Sequence, residues 1–578
     1  MAALITLLVE VKRRMYYPQG VPRSLSYPER PLYEILENSA VKYPWRTALI
    51  YYGRRISYSK LWEQSLRVAS TLAEMGLERG DRVALMLPNI PQFVIAYFGI
   101  LAAGCVAAPL NPLNPREEIR RELSELEARI LIALDRFLDK LPEGSWEIYL
   151  AEAESYLPWH LRVLSHLRRR GLREGGDIRR FRELLEMPPR RIEVEINPEE
   201  DLAVILYTGG TTGPPKGVMH THYSLMANAL QTYYWTRGWW RYHRPYPAGW
   251  PHVVSAIPFF HSYGLTVALH EPLLAGATLI LVPKPKVEEI MTVIQRYRAT
   301  HLPATPRMIR EIVNHPRVGD YDLGSLILSV TGGAPLEWET AERFMKLTGA
   351  KLHHGYGLTE AGPVTHCTPV DREPKPGSVG FPLPDTEFRI VDLETGRYDV
   401  PSGKPGELLV RGPQVMRGYW RRPEETERAL RDGWLHTGDV AILDEGGWLR
   451  ILGRRGERIV AEGHALWPEE VEALLRSHPG VEEAAVVGVA DPMRCAMDVQ
   501  ALIVPRAGYG GRELVSSLLS LCREHLEPYK VPSRILIVKE LPKTPLGKID
   551  RRSVRRLLEA SSGFEGGEGE GPYGEENR

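Results

Sequence analysis

Short apolar segments alternate with helical patterns over the first two thirds of the chain, and no other feature of the sequence restricts the fold as strongly. Leu32, Ile35 and Leu36 have helical spacing, whereas 47–52 and 81–87 have the composition of buried strands. Further strand-like segments are 130–134, 202–206, 253–258, 278–282, 325–330 and 350–353. Strands that alternate with helices indicate an α/β fold, in which ligand sites gather at the strand ends.

The pattern changes twice in the rest of the chain. Beyond Lys375, shorter β-like segments with frequent Gly and Pro predict a small barrel-like part. After Gly453, helices at 468–477 and 512–525 with interspersed strands predict a compact α+β domain of about 100 residues. We therefore predict a large N-terminal domain of two α/β subdomains plus the barrel-like part, and a small C-terminal domain. The last residues, 561–578, are mainly Gly and Glu and are expected to be disordered.

The composition excludes several classes of protein. The 73 basic residues balance the 73 acidic ones, so no net charge draws the chain to nucleic acid. The four cysteines have no C-x-x-C spacing, which argues against a disulfide framework or a zinc site. No apolar segment reaches the roughly 18 residues of a membrane span, and the first residues lack the features of a signal peptide. A cytoplasmic protein is expected.

A basic amphipathic segment at 157–172 interrupts the α/β pattern. The simpler interpretation is a solvated surface helix. The alternative is an interfacial helix that gives the protein a peripheral contact with an anionic membrane, because such helices combine a basic face with an apolar one.

A glycine-rich segment, 207–217, has the sequence Tyr-Thr-Gly-Gly-Thr-Thr-Gly-Pro-Pro-Lys-Gly and lies between an apolar strand and a helix predicted to begin near Tyr223. A strand, a glycine-rich loop and a helix form a cradle for phosphate, since glycines let backbone N–H groups approach an anion. Further donors are Thr208, Thr211, Thr212 and Lys216. It is not a Walker A loop, because the lysine is flanked by proline and glycine. A tight surface loop is the alternative.

This segment resembles the phosphate loop of the adenylate-forming enzymes, a family that includes acyl-CoA synthetases, luciferases and the adenylation domains of peptide synthetases. Gly209 stands where serine is commonest, a variant similar to the long-chain fatty acyl-CoA synthetase branch. The other motifs of the family follow in its fixed order at 259–262, 332–335, 354–360, 434–439, 453–459 and 542–552. The resemblance spans the chain from about Tyr33 to Arg552.

The resemblance implies roles for the nucleotide-binding motifs. It would put Tyr356 against adenine, Thr359 on the α-phosphate and Glu360, with Thr208, on Mg²⁺. Asp439 would accept both ribose hydroxyls. Candidate nucleotide-binding residues are Thr208, Gly209, Gly210, Thr211, Thr212, Gly213, Lys216, Gly333, Ala334, Pro335, His354, Gly355, Tyr356, Gly357, Thr359, Asp439, Ile451, Arg454 and Lys548.

Candidate catalytic residues are Lys548, Thr359, Glu360 and His261. By resemblance, Lys548 would bridge the attacking carboxylate and the ATP α-phosphate, which offsets the repulsion between the two anions. His261 would gate the carboxylate end of the acyl group. Alone, three of these residues also fit a structural interpretation: Lys548 as a surface lysine, Glu360 as a solvated loop acid and His261 as a buried structural histidine.

The resemblance also implies that the small domain is mobile. The boundaries are predicted at 1–452 for the large domain, 453–458 for the hinge, 459–560 for the small domain and 561–578 for the tail. Gly456 stands at the apparent pivot, so the side-chain latch of the family would be missing there, and Leu546 replaces a small residue beside the catalytic lysine.

The function implied is an ATP-dependent, AMP-forming fatty acid:CoA ligase that uses ATP, Mg²⁺ and coenzyme A, most plausibly on medium- or long-chain acids. The many Tyr and Trp residues in 225–250 suit the wall of a long apolar tunnel for an acyl chain. No Asp or Glu in that stretch would hold an amino-acid ammonium. The alternatives are an aryl or short, branched acid:CoA ligase, and a catalytically silent nucleotide or lipid sensor. A homodimer is compatible with the sequence.

Overall fold

The structure is a computed structural model that describes residues 16–144, 146–166, 178–208, 215–242, 246, 249–461, 464–491, 496–543 and 548–562. Several sequence predictions fall outside those residues and stay predictions. They concern Gly209, Gly210, Thr211, Thr212, Gly213, Leu546, residues 167–172 of the basic segment and the tail from 563.

The strands of the N-terminal region are β1 Thr47–Tyr51, β2 Arg54–Ser57, β3 Arg82–Met86, β4 Val106–Pro109, β5 Ile130–Leu134, β6 Glu147–Ala151, β7 Ile178–Arg180, β8 Leu202–Tyr207, β9 Gly217–Thr221, β10 His252–Ser255, β11 Thr278–Leu281, β12 His301–Ala304, β13 Leu328–Gly332, β14 Lys351–Gly357, β15 Val364–Cys367 and β16 Phe381–Pro382. Those that follow are β17 Glu387–Val391, β18 Gly406–Arg411, β19 Gly418–Tyr419, β20 Leu430–Arg431, β21 Trp434–Leu443, β22 Leu449–Arg454, β23 Ile459–Ala461, β24 His464–Leu466, β25 Val481–Asp491, β26 Ala496–Pro505 and β27 Arg534–Ile537.

The α-helices are α1 Glu34–Lys42, α2 Tyr58–Glu74, α3 Pro91–Ala102, α4 Arg116–Leu126, α5 Trp159–His166, α6 His222–Tyr242, α7 Ser262–Leu265, α8 Glu271–Leu274, α9 Val287–Tyr297, α10 Pro306–Val313, α11 Trp338–Thr348, α12 Pro423–Ala429, α13 Pro468–Ser477, α14 Gly511–His525 and α15 Arg551–Ser562. A π-helical turn, Thr266–His270, joins α7 to α8. A short 3₁₀ turn, Arg455–Glu457, joins the large domain to the small one.

Two large, mainly parallel sheets form the body of the N-terminal domain. Their strand orders are β19-β9-β8-β4-β3-β5-β6-β7 and β16-β15-β14-β13-β12-β10-β11-β1-β2. One apolar core takes side chains from both sheets and from the fully buried α3 between them. Gly99 lets α3 approach α2 closely, because a Cβ there would lie 2.6 Å from Val68 Cβ. The two sheets are therefore one packed body.

Smaller antiparallel and mixed sheets complete the chain. Strands β17, β18, β21 and β20 form an antiparallel sheet, and β22 pairs with β21. In the small domain, β25, β26 and β27 form a sheet with α13, α14 and α15 packed on it. The predicted α/β fold with a large and a small domain agrees with this arrangement.

The segment after the glycine-rich loop differs from the prediction. Strand β9 follows the loop directly and pairs antiparallel with β8, with Tyr207 opposite Gly217. Val218 and His220 are buried, so the sheet stabilises an extended chain here before α6 begins at His222. The helix begins close to the predicted position near Tyr223, but β9, a strand that the sequence did not predict, separates it from the loop. The phosphate-binding role of the loop stays a prediction.

The basic segment forms helix α5 as far as His166. The Trp159 side chain is 79% exposed, as either interpretation of this segment requires. None of the helices within the described ranges has the length and apolar character needed to cross a membrane.

Candidate active site

A cavity of about 1880 Å³ lies between the large and the small domain. The carboxyl ends of the neighbouring parallel strands β13 and β14 contribute to its wall, as expected for a ligand site in an α/β sheet. Predicted site residues that line it are His261, Gly333, Ala334, Pro335, His354, Gly355, Tyr356, Gly357, Asp439, Ile451, Arg454 and Lys548. The fold thus brings together residues from motifs that are far apart in the chain.

Two neighbours fix the Asp439 carboxylate in this cavity. The Tyr356 hydroxyl donates a hydrogen bond to Asp439 Oδ2, and Arg454 Nε lies 2.8 Å from Asp439 Oδ1. Arg454 Nη1 also donates to the backbone oxygen of Thr437 at 3.0 Å. Burial and the Asp439 charge raise the pKa of Tyr356 well above its ordinary value, so the phenol remains a donor. The result is a preorganised acceptor group of the kind that binds hydroxyls.

Lys548 reaches the site from the small domain. It lines the interdomain cavity and also a second cavity of about 110 Å³, so it lies where the two meet. Solvent reaches the side chain within the cavity, yet the surrounding protein lowers the pKa of Lys548 by desolvation, and Arg454 lowers it further. The charges of Asp439 and Glu360 oppose this lowering. A cationic group therefore faces the junction of both cavities.

His261 and Thr359 lie at the same junction. Burial lowers the pKa of His261 to about 4, and the Lys548 charge adds to the effect, so the imidazole is neutral at pH 7. Its Nδ1 accepts a hydrogen bond from the backbone N–H of Tyr263 at 3.1 Å. The Thr359 hydroxyl lies 3.4 Å from Ser262 Oγ. Both predicted residues line the smaller cavity.

Lys216 and Glu360 meet around Tyr419, a residue that the sequence analysis missed. The Tyr419 hydroxyl donates to Glu360 Oε1 at 2.8 Å, and Lys216 Nζ lies 4.8 Å from the Tyr419 ring centroid. Lys216 Nζ also lies 2.6 Å from the carboxylate of Glu425. Strand β19 places Tyr419 here by pairing with β9. No local pattern marks Tyr419, because it approaches the loop only through this sheet pairing.

The described ends of the phosphate loop are held together by backbone. Thr208 N–H donates to the Lys216 carbonyl at 3.0 Å, and Lys216 N–H donates to Thr208 Oγ1 at 3.2 Å. The Thr208 hydroxyl thus accepts a hydrogen bond from the residue at the other described end of the loop.

A divalent cation fits the chemistry of the donor set. Mg²⁺ is usually held by one or two carboxylates plus substrate phosphates, and Glu360 supplies such a carboxylate. Among the residues that the structure describes, no group of three or more His, Cys, Asp or Glu side chains could hold a metal by itself. A metal at Glu360 would therefore need ligands from the nucleotide.

The smaller cavity is lined at one end by His261, Thr359 and Lys548. Away from them it is lined by residues of α6 and of the helix that contains the π-helical turn. Thr232, Trp235 and Thr236 line it from α6, with the i, i+3, i+4 spacing of one helix face. Glu271 lines it from α8. We call it the acyl cavity, because it begins at the residues predicted to hold the carboxylate end of an acid.

The prediction of a tunnel built from the aromatics of 225–250 is only partly right. Trp235 lines the acyl cavity, whereas Leu225 and Met226 pack in the core between the sheets and Trp250 Nε1 donates to Thr278 Oγ1 at 2.9 Å. A helix directs only one face toward a cavity, so consecutive aromatics point elsewhere. The side chains of Trp239, Trp240 and Tyr242 lie outside the described part of the structure. An acidic side chain does line the cavity, but it comes from another helix, at Glu271.

The interdomain linker makes a side-chain contact beside Gly456. A Cβ added at Gly456 would have no atom within 4 Å among the described residues, so the glycine itself makes no latch. The neighbouring Glu457 carboxylate accepts a hydrogen bond from Arg551 Nε at 3.0 Å. The linker thus has a side-chain contact one residue after Gly456, at a position for which the sequence made no prediction.

A second contact joins the domains directly. Arg476 of α13 lies 3.2 Å from the carboxylate of Glu337, which precedes α11 in the large domain. Glu337 also pairs with Arg310 at 3.1 Å, and Arg476 pairs with Glu469. These charged groups line the interdomain cavity.

The fold is that of a two-domain protein with a large cavity between its domains, lined by the predicted nucleotide-binding residues. Residues 36–420 match the AMP-binding enzyme family, and residues 470–548 match the AMP-binding enzyme C-terminal domain. The chain belongs to the AMP-binding enzyme family, and the resemblance to adenylate-forming enzymes is thereby confirmed.

Relatives and solved structures agree with this assignment. A long-chain-fatty-acid–CoA ligase of Bacillus subtilis is 38% identical over 555 residues, covering 94% of this chain and 97% of the relative. One of Escherichia coli O6:H1 is 35% identical, covering 93% and 97%. The anthranilate CoA ligase AuaEII in complex with anthranoyl-AMP has a TM-score of 0.80 at 25% identity and covers 93% of this chain and 99% of its own. ATP-bound MatB from Rhodopseudomonas palustris has a TM-score of 0.77 at 28% identity, covering 91% and 98%.

Proposed function

We propose that the protein is an AMP-forming acid:CoA ligase that activates medium- or long-chain fatty acids. The observation that carries the proposal is the position of Lys548, which lines both the interdomain cavity and the acyl cavity where they meet. We place the nucleotide in the interdomain cavity and call it the nucleotide cavity from here on. A carboxylate in one cavity and an α-phosphate in the other would approach each other at this ammonium group. The names of the relatives support a fatty acid as the substrate.

In the first half-reaction, a carboxylate oxygen attacks the α-phosphorus of ATP, and the bond to pyrophosphate breaks to give acyl-AMP. Lys548 lies between the two anions and stabilises the negative charge of the transition state. Asp439 accepts the ribose hydroxyls with Tyr356 and Arg454 holding it in place. The neutral His261 adds no charge beside the carboxylate. A Mg²⁺ ion held at Glu360 would neutralise phosphate charge.

In the second half-reaction, the sulfur of coenzyme A attacks the acyl carbon, loses its proton and expels AMP to form the thioester. The small domain changes its orientation between the two steps, as the mobile linker at 453–458 suggests. Each ligand then favours one orientation by its differential affinity for the two.

The proposal is tested by pyrophosphate release with MgATP across acids from acetate to long-chain and aryl carboxylates, with and without coenzyme A. Release that is greatest for medium or long chains and accelerates with coenzyme A is expected. A maximum for aryl or short acids would replace the fatty acid with that class. No release with any acid, together with intact ATP binding, would indicate a silent nucleotide sensor.

Membrane contact is a separate part of the proposal. Residues 157–172 would lie on an anionic membrane, supported by the exposed Trp159 at the start of α5. Sedimentation with anionic and with neutral vesicles tests it, and equal binding to both would remove the electrostatic part of the argument. The homodimer stays a prediction, which light scattering of the full chain would check.

A further inference from the structure

The acyl cavity contains a carboxyl group that neither half-reaction uses. Glu271 is only 5% exposed, yet its side chain lines this cavity. Its Oε1 lies 3.1 Å from the Thr236 hydroxyl across the gap between α6 and α8. Burial raises the pKa of Glu271 to about 8, so the group is a neutral carboxylic acid at pH 7 and both donates and accepts hydrogen bonds.

The local backbone directs Glu271 toward the cavity. The α7, π-helical and α8 segments form one continuous helix that begins at the cap residue His261. Pro272 has no N–H to donate to the carbonyl of Ala268, and the Ser255 hydroxyl donates to that carbonyl at 2.8 Å instead. A π-helical turn changes the direction of the side chains that follow it, and such turns are frequent at functional sites.

The position of Glu271 along this helix sets its distance from the reacting carboxylate. About ten residues separate it from His261, which at ~1.5 Å per residue gives roughly 15 Å along the axis. His261 lies beside Lys548 at the end where the acid reacts. Glu271 therefore faces the middle or the far part of a bound acyl chain, well away from the chemistry.

Other polar groups share the cavity with Glu271. Thr232 and Thr236 lie on the facing side of α6, and His301 lies on β12. The Thr331 hydroxyl is buried and makes no hydrogen bond within the described part of the chain. The Thr232 and Thr236 hydroxyls already donate to carbonyls of their own helix. A cavity for an unsubstituted hydrocarbon chain has no need of a buried carboxyl group at Glu271 or of the Thr331 hydroxyl, and an unmet buried donor or acceptor costs about 1–3 kcal/mol. The lining instead suits an acyl chain that brings a polar atom of its own.

Resting on the proposed function, we propose that the acyl cavity selects carboxylic acids whose chain carries a hydroxyl or keto oxygen, and that the Glu271 carboxyl group binds this oxygen. Glu271 is then a specificity-determining residue for the ligase. A site built to hydrogen-bond a substrate oxygen rejects the analogue that lacks it, because its own polar groups are left unpaired.

The test compares matched pairs of acids in the full chain. Straight-chain acids of six to sixteen carbons are each paired with the acid of equal length that has one hydroxyl or keto group in the distal half. Pyrophosphate release gives kcat/KM for both members of a pair. We expect the oxygenated acid to be preferred by about tenfold or more at the best chain length.

Variants assign that preference to one side chain. The selectivity ratio is kcat/KM for the oxygenated acid divided by kcat/KM for its unsubstituted partner. Glu271→Leu should bring this ratio to one or below. Glu271→Gln, which still donates and accepts hydrogen bonds, should keep a preference for the oxygenated acid. Glu122→Gln is the matched control, because Glu122 is also a buried carboxyl whose pKa is raised to about 8, but it binds Asn114 outside both cavities. Its ratio should equal that of the unaltered chain.

The outcomes separate this inference from the proposed function. Release with unsubstituted acids that equals or exceeds release with every oxygenated partner would overturn the selectivity and leave the ligase proposal standing. An unchanged ratio in a folded Glu271→Leu variant would overturn the role of Glu271. If thermal unfolding shows that Glu271→Leu is not folded, the ratios of the unaltered chain and of Glu271→Gln test the role of Glu271 instead. A ratio of one or below in either of them would overturn it. No release with any acid would overturn both proposals.

Discussion

Replacing Glu337 with glutamine should change the balance between the two domain orientations. Arg476 of the small domain lies 3.2 Å from the Glu337 carboxylate in the orientation that also brings Lys548 to the interdomain cavity. The substitution removes the charge of the large-domain partner but leaves Arg476 paired with Glu469 and Glu472. It therefore weakens a contact between domains without stranding a buried arginine.

The size of the effect follows from the burial of the pair. The Arg476 side chain is 12% exposed and that of Glu337 is 25% exposed, which lies between a surface pair and a buried one. Surface pairs contribute about 0–1 kcal/mol, and breaking fully buried pairs costs about 3–5 kcal/mol. We expect about 1–2 kcal/mol here, which is a factor of about 5–30 in the equilibrium between orientations.

Separate assays of the two half-reactions measure this shift. Acyl-AMP formation from acid and MgATP should slow by up to that factor, because a smaller fraction of molecules has Lys548 in place. Thioester formation from supplied acyl-AMP and coenzyme A should be unchanged or faster. The control is Glu117→Gln, which removes an exposed ion pair with Arg120 within α4 of the large domain, away from the interdomain cavity. Equal slowing of both half-reactions, or the same result for the control, would refute the reasoning.

Three further predictions concern single side chains. Lys548→Ala should reduce acyl-AMP formation about 10²–10³-fold and leave thioester formation from supplied acyl-AMP largely intact, and equal loss of both would contradict the assigned role. Asp439→Ala should raise the KM for ATP far more than the KM for the acid, and an unchanged ATP dependence in steady-state kinetics would remove Asp439 from the nucleotide site. The pKa of Glu122 is raised by burial from 4.5 to about 8, so the unfolded chain loses this proton first and stability falls as the pH rises from about 4.5 to about 8. Denaturant unfolding of Glu122→Gln should show a smaller fall over that range, and an identical pH profile would mean that Glu122 ionises normally in the folded state.

The large features of the fold could be predicted because they depend on local patterns. The strand at 130–134 and the helix at 468–477 occur at the predicted residues. The strand is a short, uniformly apolar run between charged residues, and the helix has an apolar helical period with Pro at its start and Pro-Gly after its end. The segment 217–221 could not be assigned in this way. It is too short to show a period, and its extended form depends on pairing with β8 on one side and β19 on the other.

The candidate site was predictable where a motif has a fixed order and spacing. Asp439 and Tyr356 belong to different motifs and prove to be hydrogen-bonded neighbours. Tyr419, Glu271 and the Arg476–Glu337 pair were missed, because each makes its contact across a large sequence separation and lies in an ordinary local sequence. Their roles depend on packing between segments that are far apart in the chain. No short segment of the sequence shows this packing.

The continuous helix from Ser262 to Leu274 has a consequence for how substrate range can change. His261 before its first residue and Glu271 near its end line the same cavity. If the proposed function holds, selection and chemistry are therefore separated along one helix. Substitutions at the distal end could alter which acids are accepted while the residues around Asp439 and Lys548 stay as they are. For protein engineering, this makes position 271 and its partner Thr236 the first place to redesign acid preference.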